Sequence, residues 1–269
     1  MLCQLVSRLG LTIAAIVLTV AATPAQDAKP TRRILAIGGG TYTGADRPLP
    51  KLLLTLTGKK DPVVYYLPTA AGDAPPGIVR WYEVMNEFEC RPRHLKFFSD
   101  SKTLKNFEAK LLTADAIFVG GGNTMNMLAV WKAHGVDKIL RKAYERGTVL
   151  AGESAGMICW FEGGVTDSRA DKLTALECLG FLKGSACPHY TLEKGRKPSY
   201  HAMLRAGELK DGVACDDGAA ILYENEQLVK AVSVNLKARA YRVRKDADKI
   251  VEEPLNMETI INVKLLPPK

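Results

Sequence analysis

Histidine is scarce in this 269-residue chain, which has only His94, His134, His189 and His201. There is no His-Glu-x-x-His and no Cys-x-x-Cys, so the common sequence signatures of a zinc site are missing and no metal is expected. No apolar run reaches the roughly 18 residues of a membrane span, which excludes a polytopic membrane protein. Aromatic residues make up only 7% and do not interleave with the basic clusters Lys59-Lys60, Arg91-Pro92-Arg93 and Lys194-Gly195-Arg196-Lys197. The net charge of +8 is therefore spread thinly, and no nucleic-acid partner is expected.

What is present fits a globular chain: 47% hydrophobic and 25% charged residues allow a sizeable core. Residues 1–26 read as a signal peptide. Arg8 supplies a weak positive start, Leu9 to Ala22 is uncharged and apolar, and Ala21-Ala22-Thr23-Pro24-Ala25-Gln26 offers small residues for cleavage. The expectation is an exported protein, periplasmic or secreted, with no stable membrane insertion after cleavage. Without Cys3, the cysteines Cys90, Cys159, Cys178, Cys187 and Cys215 are odd in number and cannot all pair, so buried thiols with room for a single disulfide are expected. With no linker or repeat past residue 30, residues 30–269 are read as a single α/β domain.

Four short runs, Ile34-Leu35-Ala36-Ile37, Val63-Val64-Tyr65-Tyr66-Leu67, Ala116-Ile117-Phe118-Val119 and Thr148-Val149-Leu150-Ala151, are apolar and mostly rich in β-branched or aromatic residues. They predict buried parallel strands. Helical spacing over Pro76–Phe88, Leu104–Leu112, Thr124–His134 and Val136–Arg146 separates them. The pattern predicts a doubly wound, mostly parallel sheet with helices on both faces. After residue 205, three runs at 219–223, 227–232 and 238–243 predict a C-terminal antiparallel extension.

The stretch Val149-Leu150-Ala151-Gly152-Glu153-Ser154-Ala155-Gly156-Met157 sets Gly-x-Ser-x-Gly between a predicted strand and a predicted helix, the context of a nucleophile elbow. Gly152, Ala155 and Gly156 supply the lack of bulk that such a bend needs, and the helix starting at Ser154 would direct amides and a positive dipole end to the serine. A serine nucleophile needs a base. His94 and His134 precede the elbow, against the usual order of serine, acid and histidine, which leaves His189 and His201. His189 is preferred, because Pro188 ends any strand there and sets the histidine in a loop. The orienting acid is sought between Ser154 and His189 among Glu162, Asp167, Asp171 and Glu177. Asp167, in a loop that can turn towards a histidine, is preferred, with Glu162 in reserve.

Together, Phe118-Val119-Gly120-Gly121-Gly122-Asn123-Thr124, the Gly-Glu-Ser-Ala-Gly elbow and Pro188-His189 resemble the dipeptidase E and cyanophycinase family of serine peptidases. The likeness runs over roughly residues 32–255 and includes Ala36-Ile37-Gly38-Gly39-Gly40, Leu67-Pro68-Thr69-Ala70 and Asp216-Asp217-Gly218-Ala219-Ala220. It implies a fold similar to class I glutamine amidotransferases, with Ser154 as nucleophile, His189 as base and Asp167 as third member. The amides of Ala155 and of the Gly120–Gly122 loop, Gly122 in particular, would form the oxyanion hole, and Asn123, Thr124 and Arg196 would contact substrate, Arg196 by pairing with a carboxylate. Lys194 and Lys197 lie nearby. The expected substrates are short peptides with an N-terminal aspartate, with β-aspartyl-arginine peptides or non-catalytic peptide binding as alternatives. Neither glycine loop completes a P-loop or dinucleotide motif, so no cofactor is expected, and Asp216-Asp217 reads as a turn pair. A homodimer is compatible with the sequence.

Overall fold

Strands β1 (Arg33–Ile37), β2 (Val63–Leu67), β4 (Ala116–Val119) and β5 (Val149–Glu153) are the four apolar runs, and they pair in parallel at the centre of the larger sheet. The computed structural model describes residues 29–44, 46–98, 104–169 and 172–260, so the expected signal peptide, Cys3 and Asp171 lie outside the described residues. Alternation along each strand sends side chains to opposite faces. Ile34 and Ala36 enter one core with Met127, Trp131, Leu140 and Tyr144, and Leu35 and Ile37 enter the other with Leu49, Leu53, Trp81 and Met85. The first core is closed by helices α3 (Phe107–Leu112), α4 (Thr124–His134) and α5 (Val136–Glu145), the second by α1 (Pro48–Leu56) and α2 (Pro75–Met85). In α5 the buried Val136, Ile139, Leu140, Ala143 and Tyr144 follow the spacing of a single helical face. Helices thus cover both faces of a parallel-rich sheet, and the chain has an α/β fold.

The sheet has eight strands in the order β14-β11-β10-β1-β5-β4-β2-β3. Its edge strand β3 (Arg91–His94) pairs with β2 although its sequence is basic and contains Pro92, a residue that sheets accept mainly at their edges. At the other side, β10 (Ala219–Glu224) lies antiparallel to β1 and β11 (Gln227–Ser233) antiparallel to β10, with β14 (Met257–Thr259) beside them. This is the expected C-terminal extension. The third expected strand, β12 (Ala240–Asp246), leaves this sheet and joins a second one.

That second sheet, in the order β13-β12-β9-β8-β6-β7, is not expected from the sequence apart from the strand β12. It contains β6 (Phe161–Thr166), β7 (Thr174–Glu177), β8 (Leu182–Cys187), β9 (Gly212–Cys215) and β13 (Lys249–Pro254). Glycines at 163, 164, 184 and 212 lower the strand propensity of these segments, but tertiary packing requires them. A Cβ on Gly164 would lie 2.6 Å from the Ala186 carbonyl oxygen, and one on Gly212 only 1.9 Å from that of Ser185. Helix α7 (Arg196–Ala206) packs on this sheet through Tyr200, Met203 and Leu204. The described cysteines, Cys90, Cys159, Cys178, Cys187 and Cys215, are all free thiols, and burial pushes that of Cys187 up to about 12. No helix among the described residues is long and apolar enough to cross a membrane.

Glu162 braces the second sheet rather than serving a histidine. Its Oε2 accepts the Gly184 amide at 2.8 Å, while Lys210 and Lys183 stand 3.1 and 3.3 Å from Oε1. The Gly184 hydrogen bond, helped by the two lysines, holds the carboxyl down at about 2. A carboxyl lowered in the folded state contributes stability above its ordinary range and loses that contribution as pH falls towards about 2. Glu162→Gln is therefore expected to flatten the acid side of the stability profile between about pH 4.5 and about 2, read by urea unfolding. An unchanged profile would show that the brace carries no free energy.

Candidate active site

At the end of β5 the chain reverses sharply at Ser154, whose φ of 54° and ψ of −113° lie outside the basins open to residues with a side chain. The bend survives because its surroundings leave no alternative. The Ser154 amide donates to the Ile37 carbonyl at 3.2 Å, and the Ser154 carbonyl accepts from Met157 and Ile158 at 2.9 and 3.1 Å. A Cβ on Gly152 would meet the Gly156 carbonyl oxygen at 2.5 Å, and one on Gly156 would meet that of Val119 at 2.2 Å. The helix that follows, α6 (Ala155–Ile158), has four residues. Electrostatic support at the serine therefore comes from local amides more than from the macrodipole expected of a longer helix.

The Gly120–Gly122 loop sits against this bend, since a Cβ on Gly121 would lie 3.1 Å from Ser154 Cβ. Among the described residues, the Gly122 and Ala155 amides donate to no backbone carbonyl. Asn123 caps α4, its Oδ1 accepting the Asn126 amide at 2.8 Å, while its Nδ2 donates to the Ser168 carbonyl at 3.0 Å. A cavity of about 280 Å³ opens here, lined by Gly122, Asn123, Ser154, Asp167, Ser168, His189, Glu193 and Arg196.

His189 reaches this cavity from the end of β8. Its φ is 52°, and the next amide, of Tyr190, donates to the Cys215 carbonyl at 3.1 Å. Its Nδ1 lies 2.5 Å from Asp217 Oδ1. A carboxylate only accepts, so in the neutral ring Nδ1 carries the hydrogen and Nε2 the lone pair. The pair rests on bare backbone: a Cβ on Gly39 would stand 2.6 Å from His189 Cε1 and 2.3 Å from Asp217 Oδ1. Gly39 is itself tied down, its carbonyl accepting the Gly218 amide at 2.8 Å. Two residues on, the Thr41 amide and hydroxyl donate to Glu153 Oε2 at 2.9 and 2.6 Å. One loop thus links the serine bend to the histidine and its carboxylate. No hydrogen bond joins Ser154 to His189, although both line the cavity.

The position beside His189 expected for Asp167 is occupied by Asp217. Asp167 lies on the cavity wall, where its Oδ2 accepts from Arg196 Nη2 at 3.3 Å. Asp217 lies outside the stretch between serine and histidine in which the acid is expected; it follows the histidine in sequence and arrives through the return of the chain from β9 to β10. Its signal in the sequence is Asp216-Asp217-Gly218 before an apolar run, which by itself reads as a turn pair. Asp216 braces the same loop, accepting the Thr191 amide at 3.1 Å and hydroxyl at 2.7 Å and the Arg239 amide at 3.0 Å. Thr124 does not reach the cavity; it is buried, and its hydroxyl accepts from Thr166 at 3.4 Å. His201 is bound to Tyr190 and Glu252, at 2.9 and 3.1 Å, and His94 to Tyr82 at 2.9 Å. Lys197 pairs with Glu252 at 2.8 Å.

Arg196, expected as a cation for substrate, is buried, with 3% exposure, and already engaged. Its Nε donates to Glu193 Oε2 at 2.5 Å and its Nη1 to the Val165 carbonyl at 3.2 Å, in addition to the Asp167 contact. Glu193 turns its other oxygen, Oε1, towards His189 Nε2, 4.0 Å away.

Comparison with known proteins shows the family and the fold. Residues 34–231 match Peptidase family S51. The chain is 45% identical over 227 residues to the uncharacterized peptidase YgaJ of Bacillus subtilis (strain 168), covering 83% of this chain and 97% of that one. Two solved structures share the fold. A peptidase from an acI-B1 Actinobacterium aligns with a TM-score of 0.61 at 16% identity, over 82% of this chain and 94% of its own. A putative peptidase E protein from Listeria monocytogenes EGD-e aligns with a TM-score of 0.58 at 18% identity, over 76% of this chain and all of its own. With the family match spanning most of the chain and the serine set on a strained elbow, this protein belongs to the serine peptidases of family S51.

Proposed function

We propose that this chain is a serine exopeptidase of short peptides in which Ser154 is the nucleophile, His189 the general base and Asp217 the residue that orients it. The observation that carries this reading is the His189–Asp217 pair facing the same small cavity as the strained Ser154. In this scheme Ser154 Oγ attacks the peptide carbonyl carbon as its proton passes to His189 Nε2. The tetrahedral oxyanion is met by the amides of Ala155 and Gly122. His189 then returns the proton to the leaving nitrogen, the C–N bond breaks, and a seryl ester remains. Water, deprotonated by the same nitrogen, hydrolyses the ester and restores the hydroxyl. Asp217 keeps the proton on Nδ1 throughout and stabilises the imidazolium formed twice in the cycle.

The cavity lies at the small end of the range for ligand sites, which suits the end of a short chain better than the middle of a long one. An N-terminal aspartyl residue is the first substrate class to test, on the strength of the family, and β-aspartyl-arginine peptides the second. Export, as drawn from residues 1–26, remains part of the proposal; these residues lie outside the described part of the chain.

Wild-type enzyme is expected to cleave Asp-X dipeptides about 10- to 100-fold faster than Ala-X dipeptides, a margin typical of one charge-assisted contact. Ser154→Ala should abolish both peptide cleavage and fluorophosphonate labelling. Asp217→Asn should lower turnover by about 10³- to 10⁴-fold, the scale seen when an orienting carboxylate is lost, and should slow labelling far more than Asp167→Asn does. The reverse order for the two aspartates would overturn the assignment of Asp217.

Gly39→Ala provides a separate test, because its methyl group must push His189 and Asp217 apart. A displacement on the scale of 1 Å is expected to cost about 10²-fold in turnover. Kinetics paired with thermal unfolding would separate this effect from a loss of fold.

A further inference from the structure

We infer that the carboxylates of Glu193 and Asp167, held in place by the buried Arg196, form the subsite for the free α-ammonium group of the substrate's first residue. The inference rests on the serine peptidase reading and adds what that site selects. One guanidinium faces two carboxylates, so the cluster carries a net charge of −1. Arg196 spends Nε, Nη1 and Nη2 on Glu193, Val165 and Asp167, and its side chain is 3% exposed. It therefore presents no open fork to a substrate carboxylate. The carboxylates do face the cavity: 47% of the Glu193 side chain and 65% of that of Asp167 remain exposed. This part of the cavity lining thus favours a cation.

Position adds to the argument from charge. In any peptide the α-nitrogen of a residue lies two bonds from its own carbonyl carbon, about 2.5 Å away by standard backbone geometry. A carbonyl placed for attack by Ser154 beside His189 Nε2 brings the nitrogen of the same residue into this neighbourhood. Glu193 Oε1 is 4.0 Å from Nε2. When that nitrogen is a free ammonium, it finds a carboxylate within hydrogen-bonding reach. When it is an internal amide, the same carboxylate loses solvent and gains no charge partner, an unfavourable exchange. The cluster thereby selects the first peptide bond of a chain with a free amino terminus, and any preference for an aspartyl side chain must come from elsewhere in the cavity.

The test compares an Asp-X dipeptide with its N-acetylated form in wild type, Glu193→Gln and Asp167→Asn, with fluorophosphonate labelling of Ser154 alongside. Wild type should prefer the free amine by at least about 10²-fold in kcat/KM. Glu193→Gln should raise KM for the free peptide about 10- to 100-fold and narrow the preference, with Asp167→Asn changing both in the same direction. Should Glu193→Gln fail to fold for want of a partner to Arg196, the wild-type comparison and Asp167→Asn decide the matter. Equal cleavage of free and acetylated peptides by wild type, or an unchanged preference in both variants, would overturn the inference while labelling kept the serine reading intact. Absence of labelling in wild type would instead overturn the serine reading.

Discussion

Gly39 is where the architecture of this protein converges. The ring of His189 and the carboxylate of Asp217 lie where its side chain would be, the amide of Gly218 binds its carbonyl, and Thr41 reaches Glu153 beside the serine. Three segments distant in sequence meet on this one loop. Position 39 has no room for a Cβ unless His189 and Asp217 move, because native interiors are closely packed.

The two sheets divide the work of building the site. The parallel sheet supplies the serine bend and the glycine loop from neighbouring carboxyl ends of β5 and β4, where open α/β sheets commonly carry their ligands. The second sheet supplies His189, and the connection back to β10 supplies Asp217. Both Ser154 and His189 hold positive φ, a conformation that costs on the order of 1–3 kcal/mol for each residue with a side chain. Backbone hydrogen bonds to Ile37 and Cys215 and the buried Asp216 hold them in place. The strain is paid for by the sheets, and what it achieves is a half-buried serine facing the same space as an oriented imidazole.

Arg196 illustrates how tertiary context changes the meaning of a charged residue. In the sequence it is one of three cations in a basic run beside the histidine, and an anion-binding role follows. In the fold it starts α7, turns inward, and is enclosed by Glu193, Asp167 and the Val165 carbonyl. Burying a guanidinium demands such partners, because an unpaired charge in the interior is far more costly than a paired one. The sign of the cavity wall is thereby reversed from the one that composition suggests.

The parallel strands, the serine bend and the glycine loops were legible because each depends on neighbours within a few residues: runs of apolar residues, small residues flanking Ser154, and Pro188 ahead of His189. The second sheet was hidden because its strands carry glycines that read as breakers until the opposing backbones are seen at 164 and 212. Asp217 and the Asp167 contact of Arg196 were hidden for a related reason. Local sequence determines which conformations a segment can adopt and sets Glu193 three positions from Arg196, but the choice of carboxylate beside His189, and of Asp167 beside Arg196, arises from contacts 28 and 29 positions apart that exist only once the sheets have formed.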